Sequence, residues 1–191
     1  MSKPTIGSCL SYGLEVLKKD PVYVILGFLV AVVIGMIPFG LLVGPMLVGW
    51  LMGVAKLEEG GKPRLGDIFQ GLQKLVPALI VALLGGIAVG IGFVLLIIPG
   101  LIIMPIPLIG LIQVARGADD GIAALKQAWG LYKNGLVPNA VSMVVIQIVG
   151  SLPLISLITA PIAVIGQTRY VANLREQADA STPADPAPQA A

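Results

Sequence analysis

The polar side chains set inside otherwise apolar sequence are Gln113, Asn139, Ser142, Gln147, Ser151, Ser156, Thr159, Gln167 and Thr168. None of them ionises, whereas proton relays and ion-coupled pumps use an intramembrane carboxylate or base. What these groups offer is hydrogen bonding, and two uses compete. Gln147 and Ser151, one helical turn apart, could line a path with Gln113 for an uncharged or amphiphilic molecule, or each amide could join two helices. Histidine, the commonest general base and metal ligand, is absent, and the single cysteine, Cys9, precludes an internal disulfide. Acidic residues recur as Glu58-Glu59, Asp119-Asp120 and Glu176, each following a base. Three such clusters could gather a divalent cation. The competing reading makes Asp119 and Asp120 caps for a helix starting near Gly121 and leaves Glu58 and Glu59 in a solvated loop. No nucleophile and base pair is visible. The expectation is a protein without catalytic residues, metal or cofactor.

These groups must be positioned by very apolar elements. Hydrophobic residues make up 57% of the chain and charged residues 12%, against roughly a quarter charged in soluble domains. In water such a chain would expose large apolar patches. Charged side chains are missing altogether from Pro21 to Ala55, from Leu75 to Ala115 and from Asn134 to Thr168. Each stretch is an apolar arm, a proline turn and a second apolar arm. The turns are Ile37-Pro38-Phe39-Gly40, Ile98-Pro99-Gly100 and Leu152-Pro153-Leu154. The pattern predicts an all-α integral membrane protein with about six transmembrane helices arranged as three hairpin repeats. Span length strains this reading, because second arms of about fifteen residues make roughly 22 Å of helix against an apolar thickness near 30 Å. Hairpins one and three could instead turn within the bilayer, although lipid offers no partners for the backbone groups freed there.

A short amphipathic helix precedes each hairpin. Ile6, Leu10, Leu14 and Leu17 share one face before Asp20-Pro21; Leu65, Ile68, Phe69 and Leu72 do so before Val76-Pro77; Ile122, Leu125, Trp129 and Tyr132 do so before Val137-Pro138. Each is too short and too polar to span, so all three belong at the cytoplasmic interface. The result is one membrane domain over residues 1–176, with repeats of roughly 55 to 60 residues at 4–60, 61–118 and 119–176. The Ala- and Pro-rich residues 177–191 read as a disordered cytoplasmic tail. Every Lys and Arg lies outside the apolar stretches, so complete crossing puts them on one side, the cytoplasm by the positive-inside rule, together with both termini. Lys18, Lys19, Lys56, Lys74, Arg116, Lys126, Lys133 and Arg169 are the expected contacts with the cytoplasmic leaflet. Trp129, Tyr12, Tyr23, Tyr132 and Tyr170 fall near the boundaries, as an aromatic belt would. Gly40-Leu-Leu-Val-Gly44, Gly49-Trp-Leu-Met-Gly53 and Gly86-Ile-Ala-Val-Gly90 let helices approach closely, within the chain or between copies. Gly90-Ile-Gly92 and Gly60-Gly61-Lys62-Pro63 lack the spacing of nucleotide-binding loops. No nucleic-acid partner is expected.

The segments Gly92-Phe-Val-Leu-Leu-Ile-Ile-Pro-Gly-Leu-Ile-Ile103 and Asp120-Gly-Ile-Ala-Ala-Leu-Lys-Gln-Ala-Trp-Gly-Leu-Tyr-Lys133 resemble a pattern in several prokaryotic polytopic membrane families. Among these are the UPF0259-type inner-membrane proteins and the membrane domain attached to some glycerophosphodiester phosphodiesterases. The resemblance runs from about Lys18 to Arg175 and implies a six-helix fold in the prokaryotic cytoplasmic membrane. It supplies no catalytic residues, and the soluble phosphodiesterase domain has no counterpart here. The expected role is therefore non-enzymatic, organising lipids or partner proteins at the cytoplasmic leaflet. A small transporter or pore for an uncharged or amphiphilic substrate is the alternative.

Overall fold

A computed structural model describes residues 6–37, 40–95, 97–150 and 156–181. Among these the chain is all-α, with no strand. In order come α1 (Ile6–Lys19), α2 (Pro21–Met36), α3 (Val43–Glu58), a 3-10 helix (Leu65–Lys74), α4 (Leu75–Leu95), α5 (Ile97–Ile103), α6 (Pro105–Ala115), α7 (Gly121–Lys133), α8 (Leu136–Gly150) and α9 (Ser156–Ser181). The order of polar helix, first arm and second arm thus occurs three times. Asp20 ends α1 and caps α2, its carboxylate accepting from the Tyr23 N–H at 2.9 Å, while Pro21 sits at the first helical position where its missing N–H costs nothing. Asp120 caps α7 by accepting from Ile122 and Ala123. The second arms α3 and α6 end alike. Gly60 and Gly117 adopt φ of +85° and +109°, and the next N–H reaches back to the carbonyl of Lys56 or Gln113, which is the Schellman closure that favours glycine.

Three sequence expectations need correcting. The second polar segment is a 3-10 helix running straight into α4, with no break at Val76-Pro77. Its tighter winding superposes positions three apart, so Ile68 and Gly71 are buried while Phe69 and Leu72 are exposed together. The single apolar face expected there is split in two. The turn expected at Ile98-Pro99-Gly100 is instead part of α5, with Gly92 of α4 lying against Gly100. Finally, α9 continues to Ser181, past the expected start of the tail at 177. Pro38, Phe39 and the Leu152-Pro153-Leu154 turn lie outside the described residues.

The units close into a ring. Each polar element seats on the second arm of the unit before it: the 3-10 helix on α3, α7 on α6, and α1 on α9. Glycine makes two of these seats close. Gly71 meets the backbone of Pro45 and Gly49, and Gly13 meets that of Ile162, so a side chain at either would overlap the neighbouring backbone. The first arms pack outside, α2 against α3 and α9, α4 against α3 and α6, and α8 against α5, α6 and α9. Second arms are correspondingly buried, including residues 161–167 of α9 without interruption. The core between them holds Trp50, Met46, Ile109, Ile112, Met143 and Ile165, with Phe28 edge-on to Trp50 at 5.2 Å between centroids.

First arms face outward with one stripe each. Val22, Leu26, Leu29 and Val33 on α2, Leu83, Ile87, Ile91 and Val94 on α4, and Val137, Val141, Val145 and Ile148 on α8 are all exposed at helical spacing. Among the described residues one helical run, Leu65–Leu95, is long and apolar enough to cross a membrane. The pair α1 and α2 passes that test only if taken together, and a bend of 103° separates them. Six spans therefore do not follow from length and composition.

Candidate functional site

At one end of the bundle the bases tie the ring together. Lys56 at the end of α3 pairs with Asp67 on the 3-10 helix at 3.3 Å, and Lys74 on that helix pairs with Asp119 ahead of α7. Arg116 after α6 donates to the Thr168 carbonyl on α9 at 3.3 Å. The Arg169 guanidinium stands 5.4 Å from the centroid of the Tyr12 ring on α1, a cation–π distance. Lys19 donates to the Glu58 carbonyl on α3. Burial first, then hydrogen bonding to Glu58, holds the Tyr12 phenol above its ordinary value. Of the expected leaflet contacts, Lys56, Lys74, Arg116 and Arg169 thus bridge neighbouring units, Lys19 ties α1 to α3 within the first, and Lys18, Lys126 and Lys133 are exposed.

The Asp67 carboxyl is held below the usual carboxylate value, chiefly by the Arg64 backbone N–H at 3.0 Å and then by Lys56. A lowered folded-state value means stabilisation that is present above the unfolded value near ~3.9 and disappears as pH falls through the folded one. Asp67→Asn should therefore melt lower than the parent at pH 7 by no more than about 1 kcal/mol, the scale of surface pairs. In acid the two curves should merge. A gap that widened on acidification would contradict this assignment.

Inside the bundle the amides separate. Gln113 on α6 is buried and accepts from Arg175 of α9 at 2.5 Å. Gln147 on α8 accepts from Gln167 of α9 at 3.1 Å. These are interhelical hydrogen bonds, the competing use anticipated for Gln147. Gln147 and Gln167 also line an apolar cavity of about 330 Å³ with Phe28, Leu47, Met104 and Met143, whereas Gln113 does not line it. Two buried amide atoms, Gln113 Nε2 and Gln167 Oε1, have no hydrogen-bond partner. Ser151 lies outside the described residues. A second chain of bonds links Tyr170 to Asn139 at 2.9 Å, Asn139 to the Tyr132 carbonyl at 2.9 Å, and the Tyr132 hydroxyl to the Ile102 carbonyl at 2.7 Å. Tyr23, Tyr132 and Tyr170 are thus buried, which removes them from the expected aromatic belt. Sequence spacing could not find this chain, because its members lie on α5, α7, α8 and α9.

The polar helices carry apolar side chains on their free surface as well. Leu14 on α1, Leu65, Phe69 and Leu72 on the 3-10 helix, and Ile122 and Trp129 on α7 are exposed, Trp129 to 46%. The glycine patterns also divide. Gly44, Gly49 and Gly53 contact other helices of the chain, whereas Gly86 and Gly90 face open space on α4. Among the described residues no three acidic or other metal-ligating side chains come together. Comparison of the chain with protein-family models, with curated proteins and with solved structures finds no match.

Proposed function

We propose that the chain is a non-enzymatic multi-pass protein of a prokaryotic cytoplasmic membrane, six spans in three hairpins with both termini cytoplasmic, that organises lipids or partner proteins at the cytoplasmic leaflet. The observation that carries this reading is the second apolar face of the polar helices. Their inward faces are satisfied by α3, α6 and α9, and yet Phe69, Leu72, Ile122 and Trp129 remain outside beside exposed lysines. Such a surface gains by lying among headgroups with its apolar side chains a few ångströms into the acyl region. The outward stripes of α2, α4 and α8 match lipid for the same reason, since uninterrupted apolar stripes on three helices exceed what a soluble monomer tolerates.

The lengths suggest how the leaflet would respond. A helix of 16 residues such as α2 spans roughly 24 Å, less than the ordinary apolar thickness. Lipid would thin around it, and the wedged polar helices would spread the headgroups there. Self-association, if it occurs, has Gly86 and Gly90 as its open small-residue face.

Brominated acyl chains test the placement through the two tryptophans. Trp50 is fully buried and Trp129 exposed, so reconstitution with lipids brominated near the carbonyl should remove roughly half the emission, as expected of one residue at interfacial depth. Trp129→Phe should abolish that loss. No quenching, or a chain that stays monodisperse in buffer without detergent, would refute the placement. Vesicle shape and lipid packing left unchanged by the protein would refute the organising role.

The 330 Å³ cavity favours one second reading, a transporter for an uncharged or amphiphilic substrate. Its walls offer hydrogen bonds through Gln147 and Gln167 and no charge. That reading requires flux in proteoliposomes that falls about tenfold in Gln147→Leu, the order expected when a polar contact is lost. Flux absent across a broad substrate panel would exclude it.

A further inference from the structure

Where the start of α8 meets α9, the helices leave a partly open cavity of about 560 Å³. That is the volume of roughly twenty waters and within the range of small-molecule sites. Asn134, Asn139, Ser142, Tyr170 and Gln177 line it, with Leu174. They come from the α7–α8 junction, the first two turns of α8 and the inner face of α9.

The chemistry of this lining is specific. No acid and no base lines the cavity, and all five polar side chains are amides or hydroxyls able both to donate and to accept. A phosphate or ammonium group would enter without a counter-charge, which is costly away from water. A group bearing several hydroxyls, each a donor and an acceptor, finds both kinds of partner in the Asn134 and Gln177 amides and the Ser142 hydroxyl, while the Tyr170 hydrogen is already given to Asn139. Two of the walls are fixed in advance. Asn139 and Tyr170 are 6% and 3% exposed, bond to each other, and Asn139 is held by the Tyr132 carbonyl. A site whose hydrogen-bonding groups are held before binding loses less on ordering.

The surroundings supply the rest of the ligand. Ser142 stands between Val141 and Val145 along α8, and these two belong to the exposed stripe Val137, Val141, Val145 and Ile148. A molecule with its head in the cavity can therefore lay an alkyl chain along that stripe, while Trp129 and Ile122 of the adjoining α7 mark the headgroup level.

We propose that this cavity binds the uncharged, polyhydroxylated head of a membrane lipid, with its acyl chains along α8. The assignment rests on the membrane placement proposed above, and it names the lipid class that the protein gathers. The test is native mass spectrometry of the full chain in detergent with three lipids of identical acyl chains: a diacylglycerol bearing one uncharged hexose, plain diacylglycerol, and phosphatidylglycerol. The hexosyl lipid should be retained about tenfold over the other two. Ser142→Leu, which fills the cavity, and Gln177→Leu, at its exposed lip, should each erase that preference, and Ser142→Thr should keep it. Gln177→Leu carries the test if Ser142→Leu fails to fold.

Equal retention of all three lipids would overturn the assignment, as would a preference untouched by either leucine variant. Preferential retention of phosphatidylglycerol would overturn it in favour of an anionic head drawn to the neighbouring Lys133. Quenching of Trp129 by brominated lipid separates the two claims. Quenching without hexosyl preference sinks the cavity alone, whereas loss of quenching sinks the placement on which it rests.

Discussion

Gly49→Ala should lower the melting midpoint of the detergent-solubilised protein by about 10 °C, from overpacking of about 3 kcal/mol in a chain of this size. The added methyl group would overlap the Ile68 carbonyl oxygen and lie 2.7 Å from its carbon and 2.9 Å from the Gly71 nitrogen. All three belong to the backbone of the 3-10 helix, so no side-chain rotation relieves the clash. The helix must lift off α3, breaking the Lys56–Asp67 contact and exposing Ile68. Gly86→Ala is the control. Gly86 has open space around it, and alanine in a helix is favoured over glycine by up to about 1 kcal/mol, so this variant should melt at or above the parent. Two variants with the same sign of effect would show that the seat at Gly49 is looser than described.

The second large effect concerns the seam between α1 and α9. Cys9 is fully buried there, a methyl group on Gly166 would stand 2.9 Å from its carbonyl oxygen, and burial pushes its thiol above the ordinary value. The thiolate is the reactive form. Alkylation of Cys9 should therefore be slower than that of an exposed thiol by about a hundredfold, as for a site that reacts only when its segment opens at a cost of about 3 kcal/mol. Gly13→Val drives a side chain into the Ile162 backbone on the same seam and should restore most of the rate. A parent protein that labels quickly, or a variant that labels as slowly as the parent, would refute a closed seam.

How far these features could be read beforehand depended on how local they are. The join at Asp20-Pro21 was legible, because an acid that caps and a proline that fits only the first turn are neighbours in sequence. So was the alternation of polar helix and apolar arms. Ile98-Pro99-Gly100 misled, since a proline in the first turn of a helix looks the same in sequence as a proline in a turn. The inward face of the first arms was hidden for another reason. In α2 nearly every residue is apolar, and beyond the buried Tyr23 and Val24 of its first turn what distinguishes the faces is size, with Gly27, Ala31 and Gly35 inside and Leu26, Leu29 and Val33 outside. The polar contacts were the least legible. Lys74 with Asp119, Arg175 with Gln113 and Tyr170 with Asn139 join residues that only the ring brings together. At the candidate site the sequence singled out Gln113 and Gln147 by their depth in apolar sequence, but it could not tell that they serve different neighbours. The 560 Å³ corner left no mark that spacing alone could show, because its lining comes from the α7–α8 junction, the start of α8 and the far half of α9.

The seat of α1 on α9 also bears on how the molecule is made. The ribosome delivers α1 well before α9, the helix on which it seats Cys9 and Val16. Until then α1 lacks the helix against which it packs most extensively. Joining two helices so far apart in sequence carries the loop entropy that makes non-local folds slow. Closure of the ring is thus a late event in synthesis: a chain that has lost α9 leaves Cys9 and Val16 without their cover.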